Sequence, residues 1–244
     1  MNFLITGANS GIGFELLKIL SQNKRNNFFI ISKINTNIKQ FKNVKFYKMN
    51  LNSEENTKKI AKKIIKDSSG KIDVIVCNAA EGTFGPVNKV NINDFKKNYI
   101  TNFFSHLILI KSILPYMIKK NNGHIVNIAS GAGIYGFENS SSYALGKSSL
   151  QILIETIYEE NLKNNIFAKN IFPGLTKTNF INKNKSLLKK NVYKIQGKNK
   201  KLIANIIAKN IFSKKLNIFC QTITRVSFLI KIFPFLNSIK KIIE

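Results

Sequence analysis

Short apolar runs at residues 3–5, 28–31, 44–47, 74–77, 125–128 and 168–172 recur along the chain, several of them rich in Ile and Val. A strand covered on both faces needs apolar residues at consecutive positions, so these runs predict a buried parallel sheet. Between them, residues 13–23, 53–67, 93–120 and 142–164 place apolar side chains at helical spacing. Ser53, followed by Asn56 and an Ile60/Ile64 stripe, marks a capped helix start. Strand and helix alternating in this way predict one α/β domain with a doubly wound parallel sheet, the Rossmann arrangement. Ligands of such a sheet sit at the carboxyl ends of the strands, where strand order reverses. A further strand is expected near residues 216–219; the domain is assigned to 1–220, and 221–244 to an apolar and basic C-terminal tail.

Directly after the first run comes Thr6-Gly7-Ala8-Asn9-Ser10-Gly11-Ile12-Gly13, followed by the helical Phe14-Glu15-Leu16-Leu17. Glycines let a backbone turn sharply and approach a pyrophosphate, and the helix start supplies free N–H groups and partial positive charge. Gly7, Asn9, Ser10, Gly11, Ile12 and Gly13 are therefore candidates for a dinucleotide cradle. A tight turn chosen for packing alone is the competing reading.

Further motifs follow in order: Cys77-Asn78-Ala79-Ala80; Asn102, with Leu114-Pro115 after it; Ile125-Val126-Asn127-Ile128-Ala129-Ser130; Tyr143-Ala144-Leu145-Gly146-Lys147; and Pro173-Gly174-Leu175-Thr176-Lys177-Thr178. With the glycine turn, they resemble the TGxxxGxG, NNAG, helix-asparagine, serine, YxxxK and PGxxxT motifs of the short-chain dehydrogenase/reductase family across residues 3–178. The resemblance implies NAD(P)(H)-dependent interconversion of an alcohol and a carbonyl by hydride transfer. It makes Tyr143 the acid/base, places Lys147 on the nicotinamide ribose, has Ser130 polarise the substrate oxygen and has Asn102 support a proton-relay water. It also implies cofactor contacts at Asn50, Leu51, Asn78, Ala79, Ala80, Pro173, Gly174, Leu175, Thr176 and Thr178, a substrate lid at about 178–201, and a homodimer or homotetramer joined through helices 102–119 and 143–163. Three departures stand out. Cys77 replaces the first asparagine of NNAG, Ala80 adds a methyl where its last glycine would be, and Asn50 replaces an aspartate that contacts the adenine amine. The Asn50 amide oxygen still accepts that bond.

Tyr143 and Lys147 lie four residues apart at a helix start, on one face. A free tyrosine, with a pKa of about 10, is a poor acid or base near neutrality. A neighbouring ammonium and an oxidised nicotinamide both favour the phenolate, which suits Tyr143 to acid/base work. His106, on a helix, and His124, in the Gly123 turn before the fifth strand, read as structural. A catalytically silent nucleotide-binding sensor or scaffold is the alternative from a different class.

After the second run stands Ile31-Ser32-Lys33, where a site for the unphosphorylated cofactor puts an acid on the ribose hydroxyls. Ser32, Lys33 and Asn9 offer donors and positive charge to a 2′-phosphate, so NADP(H) is expected over NAD(H).

A formal charge of +27 at first suggests a polyanionic partner. Lys, Asn, Ile and Phe, however, supply 129 of the 244 residues while Arg appears twice, a pattern that A/T-rich coding bias produces. No nucleic-acid motif is present, and nucleic acid is not expected as a partner. Cys77 and Cys220 lie in separate apolar runs without a CxxC or His/Cys cluster, which argues against a disulfide framework or a metal site and for a reduced, cytoplasmic setting. Apolar structure beginning at Phe3 leaves no room for a signal peptide.

Eight lysines in residues 183–201 make the lid basic, which suits an anionic substrate or reflects the same compositional drift. In the tail, Arg225, Lys231 and Pro234 interrupt the apolar stretch, so a membrane span is not expected. Packing on the core or across an oligomer contact is the preferred reading, and an amphipathic peripheral membrane anchor is its alternative. The substrate is a small carbonyl or alcohol that the sequence does not name.

Overall fold

The computed structural model of the chain describes residues 1–34, 38–178, 180 and 197–232. The strands are β1 (Asn2–Thr6), β2 (Asn27–Ser32), β3 (Val44–Lys48), β4 (Val74–Cys77), β5 (Gly123–Ile128), β6 (Ile166–Phe172), β7 (Thr176–Lys177), β8 (Lys198–Asn199) and β9 (Asn217–Phe219). Seven form one parallel sheet in the order β3-β2-β1-β4-β5-β6-β9, and β7 pairs separately with β8. All the strands expected from the apolar runs are present. Strand order reverses between β1 and β4, which opens a cleft at their carboxyl ends.

The helices are α1 (Gly11–Leu20), α2 (Glu54–Ser68), α3 (Ile92–Tyr99), α4 (Ser105–Lys120), α5 (Gly131–Ile134), α6 (Ser141–Glu160), α7 (Lys200–Asn210) and α8 (Thr222–Ile232). Both faces of the sheet are covered, and the strands divide their side chains accordingly. Leu4, Ile75 and Cys77 pack with Ala61 and Ile64 of α2, Leu109 of α4 and Leu150 of α6. Phe3, Ile5, Val74 and Val76 pack with Leu16 and Leu17 of α1 and Ile203 and Ile207 of α7. Full burial of each such side chain contributes roughly 1.5–3 kcal/mol, which is why consecutive positions of these strands are apolar. Ser53 caps α2 as expected, its hydroxyl accepting the Asn56 N–H at 3.3 Å.

Some expectations are corrected. Residues 93–120 do not form one helix: a π-helical turn over Ile100–Phe104 separates α3 from α4 and carries Asn102. His124 lies inside β5 rather than in a turn before it. The first part of the tail is helical, and Phe228 of α8 packs on Phe172 and Phe219 with ring centroids 6.2 and 5.3 Å away. Among the described residues, no helix is long and apolar enough to cross a membrane. Of the basic lid, Lys183, Lys185, Lys189, Lys190 and Lys194 lie outside the described residues, whereas Lys200 begins α7 with its ammonium 3.4 Å from Glu15.

Candidate active site

The glycine turn leaves β1 with Gly7 at φ +67° and Gly11 at φ +60°, a region that glycine enters without steric cost. The turn is pressed against the end of β4: a Cβ on Gly7 would lie 2.9 Å from Ala79 Cα, and one on Gly13 would lie 2.5 Å from Asn78 Nδ2. The Asn78 amide donates to the carbonyls of Thr6 and Gly7 at 2.9 and 3.0 Å. In return, Thr6 Oγ1 accepts the N–H groups of Asn78 and Ala79, both at 3.0 Å. Ser10 is extended immediately before α1, and the Thr178 methyl approaches within 3.7 Å of where a Gly11 Cβ would stand. Beyond β6, Gly174 takes φ +70°, and the turn is clamped from outside by Gln221, whose Nε2 donates to Pro173 O and Leu175 O at 2.8 Å each.

At the other end of the cleft Ser32 donates to Asn9 Oδ1, and Lys33 forms an ion pair with Glu81. Asn50 Oδ1 is buried without a hydrogen-bond partner. A buried acceptor left in that state is costly, and this one stands where an adenine amine is expected to donate. Glycines with no space for a Cβ and an unpartnered acceptor together fit a dinucleotide. The Leu51 side chain belongs to the core and its carbonyl accepts the Ser105 hydroxyl at 3.0 Å, which leaves its N–H as the group it can offer.

The chemical groups converge at the ends of β4 and β5. Ser130 caps α5, its Oγ accepting the Ala132 N–H at 3.2 Å, and its hydroxyl interacts with the Tyr143 phenol. Burial raises the Tyr143 pKa, and the Ser130 bond works against that rise. Lys147 Nζ donates to Ile128 O at 2.8 Å. Lys147 is buried, which brings its pKa down to about 8, and the neighbouring Cys77 thiol is pushed up to about 12.

Asn102 is fully buried. Its Oδ1 accepts the Glu81 N–H at 2.8 Å and its Nδ2 donates to Glu81 O at 2.7 Å. Gly146, between Tyr143 and Lys147, makes room for it: a Cβ there would stand 2.7 Å from Asn102 Cβ. One helical turn on, His106 Nδ1 faces Asn102 O at 3.3 Å and Nε2 faces Thr6 Oγ1 at 3.0 Å. A carbonyl only accepts, so Nδ1 carries the hydrogen and Nε2 accepts from Thr6. Burial pulls the His106 pKa down to about 3 and keeps the ring neutral.

The rings of Tyr143, Phe84 and Phe180 pack in a cluster, with Tyr143 centroid distances of 5.7 and 5.3 Å to the two phenylalanines. Sequence reasoning missed Phe84, Phe180, Glu81, Gly146 and Gln221 and gave His106 no role near the site. Gly146 carried a usable signal, since a glycine inside a helical motif often marks a close approach.

A family model for short chain dehydrogenases matches residues 2–188. The chain belongs to the short-chain dehydrogenase family. Retinol dehydrogenase 8 from Bos taurus is 28% identical over 188 residues, covering 72% of this chain and 59% of that protein, so the chain spans about three fifths of that relative's length. In structure, this short-chain dehydrogenase is similar to one from Streptomyces avermitilis with a TM-score of 0.83 at 18% identity, covering 99% of this chain and 96% of the other. It is also similar to ElxO with NADP bound, with a TM-score of 0.76 at 26% identity, covering 90% and 97%. Solved neighbours hold either nicotinamide cofactor.

Proposed function

We propose that this short-chain dehydrogenase is an oxidoreductase that prefers NADP(H) and interconverts an alcohol and a carbonyl on a small molecule. The observation that carries the reading is the placement of Ser130, just beyond β5, beside the Tyr143 phenol, whose pKa it lowers, with Lys147 one helical turn beyond. When bound, the nicotinamide supplies or accepts a hydride. Tyr143, a phenol whose pKa burial raises further, gives its proton to the substrate oxygen in reduction and takes it back in oxidation. Ser130 donates to the phenolate so formed and steadies it. Lys147 is an ammonium below about pH 8 and presents donors to the ribose hydroxyls. Asn102 holds the relay side of the site in place through the Glu81 backbone. Asn50 and the turns at Gly7–Gly13 and Pro173–Thr178 hold the cofactor, and Ser32, Lys33 and Asn9 take the 2′-phosphate.

The protein is also proposed to form a dimer or tetramer through α4 and α6. In support, Leu145 and Ile152 on α6 are 53% and 61% exposed.

The test follows NADPH oxidation across a panel of sugars, acyl thioesters, steroids and quinones, with wild type and Tyr143→Phe. Turnover abolished by the substitution supports the reading. Tight cofactor binding with no turnover on any carbonyl favours a silent member of the family, and binding of neither NADPH nor NADH overturns the proposal.

A further inference from the structure

The Lys33–Glu81 ion pair has an unusual position. Lys33 directly follows β2 and Glu81 lies four residues beyond β4, and these two strands flank β1 on opposite sides. The pair therefore bridges the end of β1 at the start of the glycine turn, on the side of the cleft where Ser32 donates to Asn9 and the Ser32 carbonyl accepts the N–H of Met49, the neighbour of Asn50. Its two halves are held differently. The Glu81 backbone is fixed at both its N–H and its carbonyl by Asn102, and the Glu81 side chain is only 20% exposed, whereas the Lys33 side chain is 52% exposed. A carboxylate on a pinned backbone thus holds a more exposed ammonium over the mouth of the cleft.

We propose that Glu81 is a specificity-determining residue of the cofactor site, because its carboxylate competes with a cofactor 2′-phosphate for Lys33. The inference rests on the proposed use of Lys33 for NADP(H). A phosphate near neutral pH carries close to two negative charges and several acceptor oxygens, against one charge on Glu81, so it takes the ammonium over. An unphosphorylated cofactor makes no such demand and leaves the pair intact. Glu81 therefore reduces the discrimination between the two cofactors that Lys33 would give by itself. With one partner half in solvent, the pair is a weak one, and the affinity it withholds from the phosphate is about fivefold.

The test measures NADPH and NADH dissociation constants by fluorescence titration, without substrate, for wild type, Glu81→Gln, Glu81→Ala, Lys33→Met and the Glu81→Gln/Lys33→Met double variant. Thermal melts confirm that each is folded. Both Glu81 variants are expected to bind NADPH about fivefold more tightly and NADH within about twofold of wild type. The double variant should behave as Lys33→Met, since Glu81 acts through Lys33. If Lys33→Met weakens NADPH selectively while the Glu81 variants leave the NADPH/NADH ratio unchanged, the Glu81 inference fails and the Lys33 reading survives. If Lys33→Met leaves the ratio unchanged, the Lys33 reading fails and takes the inference with it. Weaker NADH binding in Glu81→Gln also overturns the inference, because it would mean that the carboxylate holds the ribose hydroxyls itself.

Discussion

Gly146 and Asn102 touch across two helices: α6 comes so close to the π-helical turn that a single added methyl would stand 2.7 Å from the Asn102 Cβ. Ala in place of Gly inside a helix ordinarily stabilises by about 1 kcal/mol. Here the sign should reverse, because Gly146→Ala must push the turn away, and overpacking of a closed contact costs roughly 1–3 kcal/mol. Chemical denaturation should show a lower midpoint. Steady-state kinetics should show a fall in kcat larger than any change in cofactor KM.

Asn102→Ala removes both bonds to the Glu81 backbone. Leaving a part-buried donor and acceptor unmet costs up to about 1–3 kcal/mol each. A displacement of about 1 Å near the reacting groups is enough to lower kcat on the order of a hundredfold. A variant that keeps wild-type turnover would remove Asn102 from the proposed machinery.

Acid stability should report on the histidines. His106 and His124 have pKa values lowered by burial to about 3 and about 4, from an ordinary 6.5. Between those values and 6.5 the unfolded chain binds more protons than the folded one, so stability rises with pH across that window and is lost on acidification through it. In His106→Gln the urea midpoint should fall less steeply between pH 6.5 and 4 than in wild type. An unchanged slope would mean that His106 is not held neutral in the folded protein.

Lys169 gives the same kind of dependence in the alkaline range. It is fully buried in β6, where its ammonium donates to Phe167 O at 3.1 Å, Ile211 O at 3.0 Å and His124 Nδ1 at 3.3 Å, and burial brings its pKa down from 10.5 to about 7. The penalty of burying the charge is complete below about pH 7. It is relieved as pH rises toward 10.5, because the folded state has released the proton while the unfolded state keeps it. Wild type should therefore gain stability over this interval relative to Lys169→Met, as read by denaturation at pH 7, 8 and 9.

Phe84→Ala opens the aromatic contact on Tyr143. Deleting a buried phenyl costs about 3–5 kcal/mol. If Phe84 also walls the substrate site, KM for bulky apolar carbonyls should rise more than KM for small polar ones. Equal changes for both would confine Phe84 to packing.

The strands and the motif positions were legible in the sequence because each depends on local pattern: consecutive apolar residues for β1 and β4, glycines for the turn at residues 7–13, and a Ser-x-x-Asn start for α2. The break in the helix at Ile100–Phe104 was not legible, because the apolar spacing runs across the π turn with little disturbance. Glu81, Gln221 and Phe180 also escaped. Each meets its partner only after the sheet has formed, and nothing in the neighbouring residues records an ion pair with Lys33, a clamp on Pro173 or a ring against Tyr143. The partner of the Lys147 ammonium was not legible for a related reason. Helical spacing puts Lys147 on the same face as the phenol, whereas its ammonium is bonded to the Ile128 carbonyl of β5.

The Gln221 clamp bears on how the molecule is made. All the motifs have been synthesised by residue 178, yet the amide that pins the turn at Pro173 and Leu175 comes 43 residues after the end of those motifs, beyond β9. A nascent chain released at residue 178 would carry every recognisable signature of the family and still lack the last support of its cleft. Completion of the site is thereby tied to the docking of the sheet's edge strand, and a prematurely terminated product should be inactive even where its motifs are intact.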